Sequence, residues 1–153
     1  MTGTPAIRQA TESDVLTLLP MVREYWRFEA IEGFDAARIE VLLRRVIADA
    51  SLGHAWLATV DGVPAGYLLA VYVFSLEHQG LTAEIDELFV LEKSRGLGVG
   101  ARLLAAAEHT FRMRGCTNAS LQIGRDNDEA RAFYRAHGYA DRTDFELVHK
   151  GLV

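Results

Sequence analysis

The spacing of hydrophobic residues in the first third of the chain predicts one strand and two helices. Residues 6–10 form a short apolar and polar segment, which predicts a strand. Apolar side chains then recur every three or four residues over 15–28 and again after Asp35, which predicts two amphipathic helices. Residues 11–14 and Asp35 are the expected N-caps, and Pro20 is expected to kink the first helix.

The middle of the chain is rich in residues that favour strands. Two such runs, 54–60 and 63–74, meet at Asp61-Gly62, a dipeptide typical of a two-residue β-hairpin. The connection SLEHQGL leads to a further predicted strand at 83–91. We therefore expect antiparallel hairpins in this part of the molecule.

Helical and strand patterns alternate in the last third. A helix is predicted from Val99 until Gly115, and a strand follows at 117–123. A second helix starts at Asp126-Asn127 and ends at Gly138, and a last strand is predicted at 145–150. No repeat or linker interrupts the pattern, so we expect a single domain over residues 1–153. This order predicts an α/β sandwich around a mixed sheet.

Composition narrows the class of protein. Half of the 153 residues are apolar, and no run approaches the ~20 residues of a membrane-spanning helix, so no membrane association is expected. The first ten residues lack the segments of a signal peptide, and a cytoplasmic location is expected. Cys116 is the only cysteine, so an intrachain disulfide is excluded and ordinary packing is expected for its thiol.

Charge is distributed unevenly along the chain. The net charge of −5 argues against a general nucleic-acid binder. Residues 1–92 carry 6 Lys and Arg against 14 Asp and Glu, a net charge of −8, whereas residues 93–153 carry 10 against 7, a net charge of +3. Composition leaves open whether this is solvated surface or a side of the molecule that attracts cations.

A glycine-rich stretch, RGLGVGA at 95–101, suggests a loop that holds a phosphate at the start of a helix. A P-loop is excluded because no Lys-Ser/Thr pair follows the glycines. Gly96, Gly98 and Ala101 match the dinucleotide pattern G-x-G-x-x-[GA], but EKSR separates them from the strand and no acidic residue stands about 20 residues on. A loop without any ligand is another alternative. The remaining interpretation counts Arg95 in a signature [RQ]-x-x-G-x-[GA] directly after the strand.

With Arg95 included, the residues resemble the GNAT superfamily of acetyl-CoA-dependent N-acetyltransferases. The strand IDELFV, the loop RGLGVG and the helix ARLLAAAEHTFRMRG are similar to its central motif, and N-x-x-A-x-x-F-Y-x-x-x-G-Y follows at 127–139. The similarity extends from Ile7 to about Val148. Glu92 departs from the family, which often has proline there. The resemblance implies a single-domain GNAT-like α/β fold, with a mixed, mostly antiparallel sheet of about six to seven strands flanked by about four helices.

By this resemblance, acetyl-CoA is the co-substrate. Its pyrophosphate would lie on backbone N–H groups of residues 95–100, and its pantetheine arm would pair with strand 84–91 like an added strand. Asn127 either contacts the cofactor or only caps its helix. The implied cofactor-binding residues are Leu88, Phe89, Val90, Arg95, Gly96, Leu97, Gly98, Val99, Gly100, Ala101, Asn127, Ala130, Phe133 and Tyr134.

The resemblance also implies direct attack of an amine on the thioester in a ternary complex. The ammonium must lose a proton, which Asp86 or Glu87 can assist; family position favours Asp86. Neighbouring strand residues face opposite sides, so only one of the two enters the site unless a bulge turns the other. Tyr134 is the candidate general acid for the departing thiolate, or else a packing aromatic, and a backbone N–H around Val90 would polarise the carbonyl.

The acidic part of the chain coincides with the acceptor side that the resemblance implies. Acidic and aromatic residues together suit a small cationic primary amine. Members of the family often pair as dimers, so the resemblance leaves a homodimer open. The five histidines show no metal-ligand spacing, so no metal is expected. The alternatives are a protein lysine or N-terminal acetyltransferase and a non-catalytic acyl-CoA-binding module. The candidate acceptor-binding residues are Tyr25, Phe28, Glu29, Glu32, Glu77 and Asp86.

Overall fold

The computed structural model describes residues 3–153. Its strands are β1 (Ala6–Gln9), β2 (Gly53–Val60), β3 (Val63–Ser75), β4 (Gly80–Val90) and β5 (Asn118–Leu121). Its α-helices are α1 (Val15–Phe28), α2 (Ala36–Ala48), α3 (Val99–Met113) and α4 (Asp128–Ala136), and 3-10 turns form at Glu12–Asp14 and Glu92–Ser94. The chain divides into two compact units, Met1–Gln122 and Ile123–Val153. A single domain therefore stays a prediction.

The sheet lies in the first unit, and its strands are arranged in chain order from β1 to β5. The pairs β1–β2, β2–β3 and β3–β4 are antiparallel, and β4–β5 is parallel. The mixed, mostly antiparallel sheet is confirmed. The expectation of six to seven strands is wrong, since the sheet has five.

The strand predicted at 145–150 does not form. Residues 139–153 contain no helix or strand, and Phe145, Leu147 and Val148 are exposed. These residue types favour strands, but a strand needs a neighbour that takes up its backbone hydrogen bonds. No strand among residues 3–153 pairs with this segment.

Local sequence signals account for the turns and helix starts of the first unit. Asp61 and Gly62 both have positive φ, 52° and 76°, and join Val60 to its partner Val63, so the predicted two-residue hairpin is confirmed. The Asp35 side chain accepts a hydrogen bond from the Arg38 N–H at 3.1 Å, as expected of an N-cap. Helix α1 continues through Pro20.

Helices cover both faces of the sheet in the first unit. Helices α1 and α2 pack on the face that carries Tyr67 and Phe89, and together they form a buried core. On the other face, Phe111 of α3 lies edge-on to Trp56 of β2, with ring centroids 5.9 Å apart. No helix in the described part of the chain is long and apolar enough to cross a membrane.

Candidate functional site

One edge of β4 is unpaired over half of the strand. The parallel partner β5 pairs only with Thr82–Ile85, and no strand among residues 3–153 pairs with this edge from Asp86 to Val90. Leu91 donates its N–H to the Ala65 carbonyl at 2.8 Å, on the β3 side. Because backbone groups alternate in direction along a strand, the N–H of Val90 points toward the free edge. This edge can accept an added extended segment.

A β-bulge interrupts β4 at the two candidate carboxylates. Leu69 pairs with Glu87 and Ala70 with Ile85, so Asp86 is an extra residue on β4. A bulge turns side chains from strict alternation, and this is the exception to the expected opposite orientation. Burial raises the pKa of Tyr67 well above its usual value, and the charges of Glu87 and Asp86 both add to this. Glu87 lies on the face that carries Tyr67, since it accepts a hydrogen bond from the Tyr67 hydroxyl.

The two carboxylates differ in their hydrogen bonds. Glu87 accepts one from Trp26 Nε1 at 2.9 Å and one from the Tyr67 hydroxyl at 2.8 Å. Burial raises the pKa of Glu87, as does the charge of Asp86, while these two bonds lower it. The Asp86 residue is exposed to solvent. Neighbouring protein nevertheless displaces part of the water around its carboxylate, and this desolvation raises the pKa of Asp86. Asp86 is thus a better proton acceptor than an ordinary aspartate.

The glycine-rich loop ends in a helix start that no side chain caps. Gly96 and Gly98 both have φ of 79°, which favours glycine, and Gly98 is the N-cap of α3. The Arg102 N–H donates to the Gly98 carbonyl at 3.1 Å. The preceding N–H groups of the first turn have no partner within the helix, and such groups bind anions. The predicted cofactor residues in this segment are Arg95, Gly96, Leu97, Gly98, Val99, Gly100 and Ala101.

Aromatic residues connect the end of α1 to β4 and to the loop. Tyr25 and Phe28 pack against Phe89, with ring centroids 5.9 and 6.1 Å apart. The Arg95 guanidinium lies 5.5 Å from the centre of the Phe28 ring and 5.9 Å from that of Phe89. Arg95 Nε also donates to the Val90 carbonyl at 3.2 Å. Predicted acceptor and cofactor residues therefore meet in one cluster.

The remaining acceptor candidates lie on segments between the elements. Glu29 is the C-cap of α1, and Glu32 is exposed between α1 and α2. Glu77 is exposed in the turn between β3 and β4. An acceptor-binding role for these three residues stays a prediction. In the part of the chain that the structure describes, no group of His, Cys, Asp or Glu side chains is arranged to hold a metal ion.

The second unit contains the other sequence motif. Asn127 is the N-cap of α4, and its side chain accepts a hydrogen bond from the Ala130 N–H at 3.0 Å. Tyr134 is buried, and its ring packs edge-on to Phe133 at 5.1 Å and to Tyr139 at 5.5 Å. Asn127 thus caps its helix, and the Tyr134 ring packs against its aromatic neighbours. Their roles toward a cofactor or in catalysis stay predictions.

Sequence reasoning did not identify Trp26 and Tyr67 as site residues. The hydrophobic spacing assigns Trp26 only to the apolar face of the first helix, and Tyr67 lies in the apolar strand segment GYLLA. A buried tyrosine hydroxyl needs a hydrogen-bond partner, and Tyr67 is 1% exposed. A tyrosine in an apolar strand indicates a hydrogen-bond acceptor nearby, and this signal could have pointed to Glu87.

Comparison with known proteins adds a family match and a shared fold. The sequence model of the Acetyltransferase (GNAT) family matches residues 19–139. The chain is 28% identical over 146 residues to the uncharacterized N-acetyltransferase YhfO of Bacillus subtilis, which covers 91% of this chain and 92% of the relative. It is 26% identical over 154 residues to an aminoglycoside N(6')-acetyltransferase type 1 of Klebsiella aerogenes, covering 99% and 100%. Aminoglycoside N-acetyltransferase AAC(6')-Iy, solved in complex with CoA, shares the fold with a TM-score of 0.84 at 17% identity, covering 100% and 98%.

Proposed function

Because the chain belongs to the GNAT family and is an N-acetyltransferase, we propose that it transfers the acetyl group of acetyl-CoA to a primary amine of a small cationic molecule. The observation that carries this proposal is the free edge of β4 from Asp86 to Val90, which leads into the uncapped start of α3. This edge lies next to two carboxylates that suit an amine.

Acetyl-CoA fits the groups that this segment offers. Its pyrophosphate is an anion, and the free N–H groups at the start of α3 are donors directed at one point. Its pantetheine arm carries amides that can pair with the β4 edge like a strand. The space beside the two glycines before α3 is open, since a Cβ at Gly96 or Gly98 would meet nothing within 4 Å, and the glycines add no side chain to it. Asn127, Ala130, Phe133 and Tyr134 complete the proposed cofactor residues.

The proposed reaction forms the C–N bond and breaks the C–S bond in one ternary complex. Asp86 takes one proton from the bound ammonium, directly or through water, which frees the nitrogen lone pair to attack the thioester carbonyl. Its raised pKa favours this proton uptake, and no hydrogen bond among residues 3–153 engages its carboxylate. The Val90 N–H donates to the carbonyl oxygen as negative charge develops. The Tyr134 hydroxyl gives its proton to the departing thiolate, and the second proton that the nitrogen loses restores this hydroxyl through solvent.

The acceptor side favours a cation for two reasons. Residues 1–92 carry a net charge of −8, which attracts a cationic amine. Tyr25 and Phe28 add aromatic rings against Phe89 of β4, and aromatic faces attract ammonium groups, as the Arg95 guanidinium over the Phe28 ring illustrates. The Klebsiella relative is named for N-acetylation of aminoglycosides, which supports an amine acceptor here. Glu29, Glu32 and Glu77 are the proposed residues for the distal charges of such an acceptor.

Thiol release from acetyl-CoA tests the proposed activity. The purified protein is assayed with a diamine, an aminoglycoside, a neutral amine of similar size and a lysine-containing peptide. We expect the dications to give the highest kcat/KM, and we expect the rate to fall as salt rises, because the attraction is electrostatic. Equal rates for neutral and dicationic amines would contradict a cationic acceptor, and preference for the peptide would indicate a protein substrate. No thiol release with any amine would contradict the transfer reaction.

Variants of the proposed acid and base test their roles. Asp86→Asn and Tyr134→Phe are each expected to lower kcat by about 10²–10⁴-fold, while the binding of acetyl-CoA is retained. Glu84→Gln, on the same strand, is the matched control and should keep the wild-type kcat. Asp86→Asn should also unfold at a temperature no lower than wild type, since it removes a poorly hydrated charge. Full activity of Asp86→Asn would remove Asp86 as the base.

A further inference from the structure

Two donors from different elements hold the Glu87 carboxylate. Trp26 of α1 donates to Oε2, and Tyr67 of β3 donates to Oε1. Glu87 is half-buried and Tyr67 is fully buried, so the bonds are partly shielded from water. Hydrogen bonds to a charged group in such a place are among the stronger ones. Glu87 therefore has a fixed position, unlike the exposed Asp86 beside it.

Trp26 contacts the segment between α1 and α2 near both ends of that segment. We call this segment, residues 29–35, the α1–α2 loop. The Trp26 carbonyl accepts a hydrogen bond from the Ile31 N–H at 2.8 Å, and Ala30 adopts a left-handed conformation with φ of 55°. The Trp26 ring lies edge-on to Phe34, with centroids 5.5 Å apart and planes at 83°. Any movement of Trp26 therefore moves this loop.

Phe34, near the C-terminal end of the α1–α2 loop, makes one more contact with α1. The Arg23 guanidinium lies 5.1 Å from the centre of the Phe34 ring. A continuous series of contacts thus runs from buried Tyr67 through Glu87 and Trp26 to Phe34. The bond of Glu87 to Trp26 joins the strand of the proposed base to the loop of the proposed acceptor site.

We propose that Glu87 is a positioning residue that acts through Trp26 to hold the α1–α2 loop where the acceptor binds, while Asp86 receives the proton. This inference rests on the proposed function, because the loop contributes to acceptor binding only if that function is right. It assigns different roles to two adjacent carboxylates. It also gives Trp26 and Tyr67 a part in acceptor affinity and none in proton transfer.

Kinetics of paired variants test the positioning role. Trp26→Phe keeps a ring against Phe34 and removes the N–H donor, and Glu87→Ala removes the acceptor of that bond. Both are expected to raise the acceptor KM about tenfold, with kcat within about threefold of wild type. The KM for acetyl-CoA should not change. Tyr67→Phe, which removes the second bond, should raise the acceptor KM by a smaller factor.

The conservative variant separates position from charge. Glu87→Gln keeps an oxygen that can accept from Trp26, so it should recover most of the acceptor affinity that Glu87→Ala loses. The pH profile of kcat should stay that of wild type. A loss of kcat in Glu87→Gln as large as in Asp86→Asn would overturn the inference, because the charge of Glu87 would then take part in the chemistry. An unchanged acceptor KM in Trp26→Phe would overturn it as well.

Hydrogen exchange in the free protein tests the attachment of the loop without any substrate. Trp26→Phe is expected to speed amide exchange across residues 29–35, measured by mass spectrometry of peptides, by about tenfold. Trp56→Phe, which replaces the other tryptophan, is the matched control and should leave this exchange unchanged. Unchanged exchange in Trp26→Phe would overturn the inference. If the wild-type protein acetylates no amine, the proposed function fails, and the exchange result still decides whether Glu87 and Trp26 hold the loop.

Discussion

Replacing Asp14 by asparagine is expected to destabilise the start of α1, the helix that carries Tyr25 and Phe28. The Asp14 carboxylate accepts two hydrogen bonds from Arg8 of β1, both at 2.7 Å. It also accepts the Thr11 N–H at 2.8 Å. An asparagine has one oxygen in place of two, and its amide group would face the Arg8 donors. The substitution therefore breaks a bidentate ion pair and a cap together.

The size of the effect follows from the pKa of Asp14. Hydrogen bonds from Arg8 are the largest cause that lowers this pKa from 3.8 to about 2, and burial opposes them. A difference of about 1.8 pH units corresponds to ~2.4 kcal/mol at neutral pH. The Arg8 side chain is 57% exposed, so water screens part of the attraction. We expect Asp14→Asn to lower the free energy of unfolding by ~1–2 kcal/mol, and the melting temperature by ~2–8 °C.

The pH dependence of the stability difference tests whether the Arg8–Asp14 ion pair is its cause. Because the folded pKa lies below the unfolded one, the stabilisation is complete above the unfolded pKa and declines as pH falls through the folded pKa. Urea unfolding of wild type and Asp14→Asn at pH 7 and pH 3 should therefore show a difference that is about halved at pH 3. Glu12→Gln, an exposed acid in the same turn, should stay within ~0.5 kcal/mol of wild type. An equal difference at both pH values would refute the ion-pair explanation.

Two further substitutions test the segment before α3. Gly98→Ala is expected to lose ~1–2 kcal/mol of stability because of its left-handed backbone, and to weaken CoA binding in calorimetry. Gly115→Ala, with φ of 77° and equally open surroundings, should lose similar stability and bind CoA normally; equal weakening in both would contradict a loop-specific role. Ser94→Ala should raise the free energy of unfolding by ~1–3 kcal/mol, since the buried Ser94 Oγ has no hydrogen-bond partner among residues 3–153. A loss of stability in urea unfolding would mean that this hydroxyl is bonded, for example to water.

Local signals predicted most of the elements because those elements depend on neighbours in sequence. The hairpin at Asp61-Gly62 needs two positive φ values, and this dipeptide tolerates them. The cap at Asp35 needs only a carboxylate three residues before an N–H. The strand predicted at 145–150 does not form, because a strand depends on a partner strand and no local pattern reveals whether one is present.

The sequence marked some residues of the candidate site but not their arrangement. Asp86 and Glu87 stood out as acids before an apolar strand end, and the glycines at 96 and 98 marked the loop. The bulge at Asp86 arises from the register between β3 and β4, which the sequence of β4 does not encode alone. The bond from Trp26 to Glu87 joins residues 61 positions apart, beyond any local spacing rule.

The pKa values of three carboxylates in the first unit shift in opposite directions. The direction distinguishes a carboxylate that stabilises the fold from the two in the candidate site. Asp14 is held by a cation, so its ionised form stabilises the fold at neutral pH. Burial raises the pKa of both Asp86 and Glu87, so their ionised forms are disfavoured in the fold and their contribution to stability falls as pH rises through the folded pKa. Tyr67 and Trp26 offset part of this penalty for Glu87, and no hydrogen bond among residues 3–153 does so for Asp86. Asp86, the proposed general base for an ammonium, is thus the carboxylate of this pair whose charge no hydrogen bond stabilises.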